Sequence, residues 1–315
     1  MKTQYEEAYN RALKWIEQYT IDEKGIAVNS DEEIPYPEVT GYYIPTLLKW
    51  NEKDRAVQYA KWLCSIQHKS GAWGDPNKDE EYTFDSAQVL KGLVAIYPIM
   101  PEIKQNIISG CDWLLSQIQG NGRMITPNQS AWGNEKICSE LVHLYCISPL
   151  YEAANLFGKA VYREQGEKVV EYYLKEYYER ITTFQMLSHF QAYVVEGLID
   201  VGKSEVARVG LNNLETYSNR QGVIPAYNNV KWMCSTGMFQ LALSYMKLGE
   251  MKKGEELFSL VCARQNETGG WYGSYPTNFQ NRLGIGKERM TYFPKSEISW
   301  AVKYFLDALY LIENN

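Results

Sequence analysis

Apolar and polar positions recur along this chain with the period of an α-helix. Some segments carry one apolar stripe on a polar background, as in the segment that ends near residue 66, whereas others are apolar on nearly all sides, as in residues 88–94 (QVLKGLV). A striped helix covers a core, and a helix that is apolar all round is buried inside one. The pattern therefore predicts outer and inner helices that follow one another along the chain.

The outer segments end in a repeated motif. Residues 62–73 read WLCSIQHKSGAW and residues 261–271 read VCARQNETGGW, and weaker copies lead to Gly25, Gly122 and Gly222. Gly after the last turn permits the left-handed conformation that stops a helix, and the Gln side chain can satisfy backbone groups at the helix end. The motif glycines stand at 25, 71, 122, 222 and 270, in steps of 46, 51, 100 and 48 residues. One step therefore spans two repeats, which predicts about six.

A second set of segments lies between these copies and has a Ser or Thr near each start, where a hydroxyl can cap backbone amides. The six starts fall near Gly41, Phe84, Lys136, Thr183, Trp232 and Ser296. Six outer and six inner helices predict an all-α fold, an (α/α)6 toroid of about six helix hairpins, as a single domain over residues 1–315. The inner helices would open their N-terminal ends on one face, where amide donors favour anionic groups.

Composition and charge exclude several classes of function. Apolar residues make up 45% of the chain, so a large core is expected, and the net charge of -6 argues against a nucleic-acid partner. No apolar run approaches the roughly 20 residues of a transmembrane helix, and the first residues lack an apolar signal core. Six cysteines without a CxxC pair are expected to be reduced. We therefore expect a cytoplasmic protein.

The copy at residues 62–73 resembles the QW repeat of the terpenoid cyclase and protein prenyltransferase superfamily, and residues 261–271 resemble a second copy. The resemblance implies the toroid fold. The chain lacks the DxDD acid motif of acid-initiated cyclases, and none of its histidines follows a Cys at the tight spacing of a zinc ligand pair. Residues 269–275 (GGWYGSY), 292–294 and 297–303 also resemble uncharacterised bacterial toroid proteins associated with surface-polysaccharide synthesis.

Three residues at the predicted common face are candidates for catalysis. Asp85 precedes Ser86 and is either a general acid or base, or a helix cap. Glu140 stands among apolar residues, which predicts a raised pKa and general acid chemistry unless its charge faces outward. His189 is a candidate acid or base, or else a buried hydrogen-bonded histidine.

Six further residues are candidates for substrate binding. The 25 Tyr and 9 Trp against 9 Phe suit a surface that is both apolar and hydrogen-bonding, as sugar clefts and wet helix seams are. Aromatic platforms for a sugar are expected at three inner-helix starts. An acid lies beside the last of these platforms, and a histidine lies one turn beyond Glu140. These candidates are Tyr42, Tyr43, Trp232, Glu297, Trp300 and His143. Their alternative interpretation is helix packing and capping.

The sequence supports three functions. The first is an enzyme that performs acid-base chemistry on a carbohydrate, as lyase, hydrolase or epimerase on a glycan or activated sugar. The second is an enzyme for an isoprenoid or lipid-linked substrate, and the third is a non-catalytic binding toroid. We expect a carbohydrate or other small-molecule substrate and no cofactor. We also expect no metal, because no spacing requires Cys138 to meet His143 or Cys234 to meet His189.

Overall fold

The structure is a computed structural model that describes residues 3–128, 136–277 and 289–315, apart from the side chains of residues 3 and 136–138. Helices dominate these ranges. The α-helices are α1 (Thr3–Gln18), α2 (Pro37–Lys49), α3 (Lys53–Ser65), α4 (Thr83–Ile96), α5 (Lys104–Ser116), α6 (Lys136–Leu141), α7 (Ser148–Phe157), α8 (Ala160–Glu176), α9 (Tyr178–Thr182), α10 (Ser188–Asp200), α11 (Ser204–Glu215), α12 (Ser235–Lys247), α13 (Met251–Cys262) and α14 (Ser299–Asn314).

Four short strands accompany the helices. Strand β1 (Thr20–Ile21) pairs with β2 (Gly25–Ile26), and β3 (Trp232–Cys234) pairs with β4 (Ser274–Pro276), both antiparallel. Across the ranges given above, no helix is long and apolar enough to cross a bilayer.

The described chain forms two compact units, each built of three helix hairpins. The first unit comprises residues 3–19, 28–32, 179–277 and 289–315, and the second comprises residues 20–27, 33–128 and 136–178. In the second unit the inner helices α2, α4 and α7 pack on the outer helices α3, α5 and α8. In the first unit α10, α12 and α14 pack on α11, α13 and α1. The predicted six pairs of inner and outer helices are present, and a single domain over residues 1–315 stays a prediction.

The third inner position departs from the pattern. A helix was expected to run on from Lys136, but α6 ends at Leu141 and a 3-10 turn, Val142–Cys146, separates it from α7. Pro149 lies in the first turn of α7, where its missing N–H costs nothing. Two further starts also differ, because α10 begins at Ser188 rather than near Thr183 and Trp232 lies in β3 rather than in a helix.

At three inner-helix starts the hydroxyl donates to a neighbouring loop instead of capping its own helix, so the expectation of a cap is wrong there. Thr83 donates to the carbonyl of Ile125 at 2.6 Å. Ser299 donates to the carbonyl of Val28 at 2.8 Å, and Ser235 donates to a neighbouring loop in the same way. These three hydroxyls therefore tie α4, α12 and α14 to adjacent loops of their own units.

The two Gln–Gly–Trp segments make matching contacts. Gln67 Nε2 donates to the carbonyl of Gly71 at 2.8 Å and to that of Asn106 on α5 at 3.0 Å. Gln265 Nε2 donates at 2.9 Å both to Gly269 and to Ala8 on α1. Both glycines have positive φ (104° and 101°), but they lie in turns beyond Ser65 and Cys262, where α3 and α13 end, so the expectation that these glycines stop the helices is wrong. Each Gln thus joins the end of one outer helix to the next outer helix of the same unit.

Helices α2 and α4 approach each other closely. A Cβ on Gly41 would lie 2.5 Å from Cα of Val89, and a Cβ on Gly92 would lie 2.2 Å from the carbonyl oxygen of Gly41. Only glycine fits at both positions, because the opposing atoms belong to the backbone. The contact fixes the start of α4, which carries Asp85, against α2.

Candidate functional site

Asp85 lies in the first turn of α4, where it is 6% exposed. The hydroxyl of Tyr36 donates to Asp85 Oδ2 at 3.0 Å. Tyr36 is the residue before Pro37, the first residue of α2, so the close packing of α2 on α4 places this hydroxyl at the carboxyl group. The start of α2 thus contributes the hydroxyl of the pair, and the start of α4 contributes the carboxyl group.

The surroundings of Asp85 favour its protonated form. Burial raises the pKa of Asp85 to about 7, the hydrogen bond from Tyr36 lowers it in part, and the charge of Asp75 raises it. Burial likewise raises the pKa of the Tyr36 hydroxyl far above its usual value, so Tyr36 keeps its proton and acts as a donor. A carboxyl group whose pKa lies near 7 can give up or take a proton at neutral pH.

A cleft of about 350 Å³ lies in the second unit, next to the residue that follows Tyr36. Its lining includes Pro37, Trp73 and Asp75, and Asp75 is paired with Lys78 at 3.3 Å. The cleft thus brings together a paired carboxylate, an indole ring and the start of α2. A carboxyl group with a pKa near 7 and a second carboxyl group paired with a lysine, in one region, are the elements of acid-base chemistry at a glycosidic bond.

Tyr42 and Tyr43 lie within α2, and their side chains are buried. They are 2% and 0% exposed, and their rings stack with centroids 6.5 Å apart. Rings buried to this degree are part of the core. We therefore assign both residues to packing rather than to a substrate platform.

Glu140 is held by charge-assisted hydrogen bonds. Arg123 donates to it twice, from Nε to Oε1 and from Nη2 to Oε2, each at 2.8 Å, and Tyr173 donates to Oε1 at 3.1 Å. Burial is the strongest single influence and raises the pKa of Glu140, but the hydrogen bonds from Arg123 and Tyr173 and the nearby positive charge together outweigh it and leave the pKa below its usual value. The expectation of a raised pKa is therefore wrong, because Arg123, 17 residues earlier, supplies a fixed positive charge.

His143 belongs to the same network. Its Nε2 lies 3.0 Å from Thr126 Oγ1 and its Nδ1 lies 3.0 Å from the hydroxyl of Tyr173. Both ring nitrogens thus have partners within the second unit. Burial lowers the pKa of His143 to about 4, so the ring is neutral at neutral pH. We assign His143 to this buried network rather than to a substrate.

His189 lies at the start of α10 in the first unit, 1% exposed. Its Nδ1 lies 3.0 Å from Gln240 Oε1 on α12. Five aromatic rings surround the imidazole with centroids 4.3–6.2 Å away. They belong to Phe190, Tyr193, Tyr292, Trp300 and Tyr304. Burial lowers the pKa of His189 to about 3, so the ring is neutral at neutral pH.

The two predicted tryptophan platforms differ. Trp300 is partly exposed and its ring lies 6.1 Å from the imidazole of His189, so it can present a face to a ligand. Trp232 is 2% exposed in β3 and packs in a buried cluster with Leu187 and Cys234. We therefore keep Trp300 as a candidate and assign Trp232 to the core.

Glu297 joins chain segments of the first unit. Its Oε2 accepts from Trp15 Nε1 at 2.7 Å, and its Oε1 accepts from Asn266 Nδ2 at 2.7 Å and from the hydroxyl of Thr268. Both carboxylate oxygens are thus occupied by protein donors, and the residue is 5% exposed. We assign Glu297 to this junction rather than to a substrate.

Glu81 makes the corresponding contacts in the second unit. Trp113 Nε1 donates to its Oε2 at 3.1 Å, and the hydroxyl of Ser70 donates to its Oε1. Ser70 precedes Gly71 just as Thr268 precedes Gly269. A carboxylate ahead of the inner helix is therefore part of the repeated unit, which the two sharp sequence copies did not reveal.

The candidates for catalysis are divided between the units. Asp85 and Glu140 belong to the second unit and His189 to the first, and convergence of the three on one opening stays a prediction. Within the ranges that the structure covers, no group of three His, Cys, Asp or Glu could hold a metal ion. Cys234 accepts from the backbone N–H of Gly237, and the side chain of Cys138 lies outside the described residues.

Four residues that contact or surround the candidates were not selected from the sequence. Tyr36 lies 49 residues before Asp85 and carries no motif, and Asp75 stands in an acidic loop that carries no motif either. Glu196 and Gln240, in contrast, are polar residues that stand between apolar neighbours on α10 and α12. Because a buried polar side chain needs a partner, such residues signal a buried network and could have been selected on that basis.

Comparison with known proteins shows the fold. No protein-family model matches the chain, and no curated protein does. UGL in complex with dGlcA-Glc-Rha-Glc aligns with a TM-score of 0.74 and 12% identity over 98% of this chain and 97% of its own. The unsaturated glucuronyl hydrolase from Bacillus sp. GL1, responsible for glycosaminoglycan degradation, gives 0.73 and 11% over 97% and 95%. Type II terpene cyclase MstE from Scytonema gives 0.61 and 13% over 99% of each chain. The chain has the α/α-toroid fold that these enzymes share.

Proposed function

We propose that this protein is a carbohydrate-active enzyme, a hydrolase or lyase, in which Asp85 is the general acid. The observation that carries the proposal is the Asp85 carboxyl group, buried beside the Tyr36 hydroxyl, with its pKa raised to about 7. The fold likeness to glucuronyl hydrolases supports the class of substrate.

In the proposed reaction, protonated Asp85 donates its proton to the glycosidic oxygen as the bond from that oxygen to the anomeric carbon breaks. The leaving sugar departs as an alcohol, and Asp85 becomes a carboxylate. The Tyr36 hydroxyl donates to that carboxylate and stabilises it. Asp75 in the cleft is the candidate base that removes a proton from the attacking water in a hydrolysis.

The test is the turnover of a panel of glycans, including unsaturated uronides, by Asp85→Asn and Tyr36→Phe. Loss of the proton donor is expected to reduce kcat about 10²- to 10⁴-fold in Asp85→Asn, with a smaller loss in Tyr36→Phe. Asp54→Asn on the exposed start of α3 is the matched control, and it should retain full activity. Full activity in Asp85→Asn would refute the assignment.

An isoprenoid substrate is the second candidate, favoured by the fold likeness to a type II terpene cyclase. A buried, protonated carboxyl group also suits protonation of an alkene. Polyprenyl substrates in the same panel separate the two, because only one class should be turned over in an Asp85-dependent way. Binding of a glycan without any turnover would instead favour the non-catalytic toroid.

A cytoplasmic location and a role in polysaccharide synthesis belong to the same proposal. Five cysteines are free in the described chain, as expected for a reducing compartment. The matching contacts of Gln67 and Gln265 support interpreting their segments as QW repeats. Cell fractionation followed by detection of the protein tests the location.

A further inference from the structure

A chain of buried hydrogen bonds runs from His189 through α10 and α12. His189 Nδ1 lies 3.0 Å from Gln240 Oε1, and Gln240 Nε2 donates to Glu196 Oε2 at 2.8 Å. Lys247 in turn donates to Glu196 Oε1 at 2.8 Å. His189, Gln240 and Glu196 are each at most 3% exposed, so water does not replace these partners.

The charges fix the direction of every bond in this chain. Glu196 is paired with Lys247, so it is ionised and can only accept hydrogen bonds. Gln240 must therefore turn its NH₂ group towards Glu196, which leaves its carbonyl oxygen towards His189. A carbonyl oxygen only accepts, so the proton of the neutral imidazole must reside on Nδ1.

The other ring nitrogen is left for a ligand. Nε2 of His189 has no hydrogen-bond partner among the residues that the structure describes. Three of the rings around it, those of Phe190, Tyr292 and Trp300, are partly exposed. A lone pair at the base of such rings can accept from a hydroxyl group of a molecule that stacks on them.

We infer that Glu196 and Gln240 are positioning residues that hold His189 in the Nδ1–H tautomer, so that Nε2 is a permanent acceptor for a hydroxyl group of the bound ligand. The identification of the ligand as a sugar rests on the proposed function, whereas the assignment of the His189 tautomer does not.

The charged groups near His189 support a neutral ring. Burial lowers the pKa of His189 to about 3, and the charge of Lys303 lowers it as well, whereas Gln240 and Glu196 raise it in part. Lys303 is paired with Asp307 at 2.9 Å on α14. The imidazole therefore stays neutral over the working pH range, and its tautomer decides what it can bind.

Nitrogen-15 NMR of the histidine side chains tests the inference without a substrate. The chain has three histidines, and a His189→Gln variant identifies the signals of His189. Between pH 6 and 8 the wild-type protein should show His189 as a single Nδ1–H tautomer. In Glu196→Gln the Gln240 amide can turn over, and the tautomer ratio should fall roughly tenfold, the cost of one charge-assisted hydrogen bond.

Gln191→Leu is the matched control, because Gln191 is another buried glutamine, located on α10, and donates to the carbonyl of Ile181 rather than to His189. Its His189 signals should stay unchanged. An Nε2–H tautomer in the wild-type protein would overturn the inference, even if no variant folds. An unchanged tautomer ratio in a folded Glu196→Gln variant would overturn it as well. Neither result bears on Asp85, so failure here is distinguishable from failure of the proposed function.

Discussion

Arg123 forms two parallel hydrogen bonds of 2.8 Å with the carboxylate of Glu140. The planar guanidinium group matches the carboxylate in this two-point contact, which a lysine could not reproduce. Because Tyr173 donates to the same carboxylate and also contacts His143, the pair anchors a polar network inside the second unit. The network explains why the pKa of Glu140 lies below its usual value although its neighbours in the sequence are apolar.

Removal of Arg123 should destabilise the fold more than removal of the charge it binds. Arg123→Met leaves the Glu140 carboxylate largely buried without its cation, and the free energy of unfolding should fall by about 1–3 kcal/mol. Glu140→Gln leaves a partly exposed Arg123 that water can solvate, so its cost should be smaller. Urea unfolding of both variants at pH 7 measures the two losses in free energy of unfolding. An equal loss, or a larger loss in Glu140→Gln, would contradict the prediction.

Asp85→Asn should change the pH dependence of stability. Folded Asp85 keeps its proton up to about pH 7, whereas an unfolded Asp loses it near pH 4. The native state therefore binds more protons between these values, and this group makes stability fall as the pH rises through that window. The stability of Asp85→Asn relative to wild type should rise between pH 5 and pH 8, on the order of 1–3 kcal/mol. Urea unfolding at the two pH values measures it, with Asp54→Asn as a control that should show no such change.

Glu297→Gln should lower stability and leave substrate affinity unchanged. The substitution removes the negative charge that accepts from Trp15 and Asn266, at a cost of about 1–3 kcal/mol. Glu81→Gln is the matched comparison, since Glu81 holds the corresponding indole of Trp113, and it should lose stability in the same way. Thermal unfolding and KM are measured for both. A raised KM with unchanged stability in Glu297→Gln would restore the substrate-binding role.

Gly41→Ala should disrupt the contact between α2 and α4. The added methyl group would lie 2.5 Å from Cα of Val89 and 2.7 Å from the carbonyl oxygen of Gln88, so the helices must separate. Such overpacking costs about 1–3 kcal/mol. Gly120→Ala is the control, because its Cβ meets nothing within 4 Å and its stability should change by less than about 0.5 kcal/mol. Activity should also fall in Gly41→Ala, because the same contact positions Tyr36 at Asp85.

The sequence predicted the fold well because the repeat is local. Each Gln–Gly–Trp segment and each apolar helix can be recognised within about fifteen residues, and the order of outer and inner helices follows from them. The interruption of the third inner helix, between α6 and α7, was harder to predict. Pro149 marks it, but a proline in the first turn of a helix does not by itself reveal that α6 ends eight residues earlier.

The site depended on contacts between distant parts of the chain. Asp85 was selected from the sequence as an acid, a base or a helix cap, but its partner Tyr36 lies 49 residues earlier. Glu140 was misjudged for the same reason, since a pKa depends on charges in space and Arg123 lies outside its helix. The tautomer of His189 depends on Gln240, 51 residues away.

Glu81 and Glu297 occupy equivalent positions in the two copies. Residues that follow them can therefore be matched by counting from these acids. Counted from these acids, Thr83 matches Ser299 and both tie down a loop, whereas Asp85 matches Ala301. The acid at position 85 therefore belongs to one copy only, whereas the anchoring carboxylate and the hydroxyl two residues after it are common to both copies.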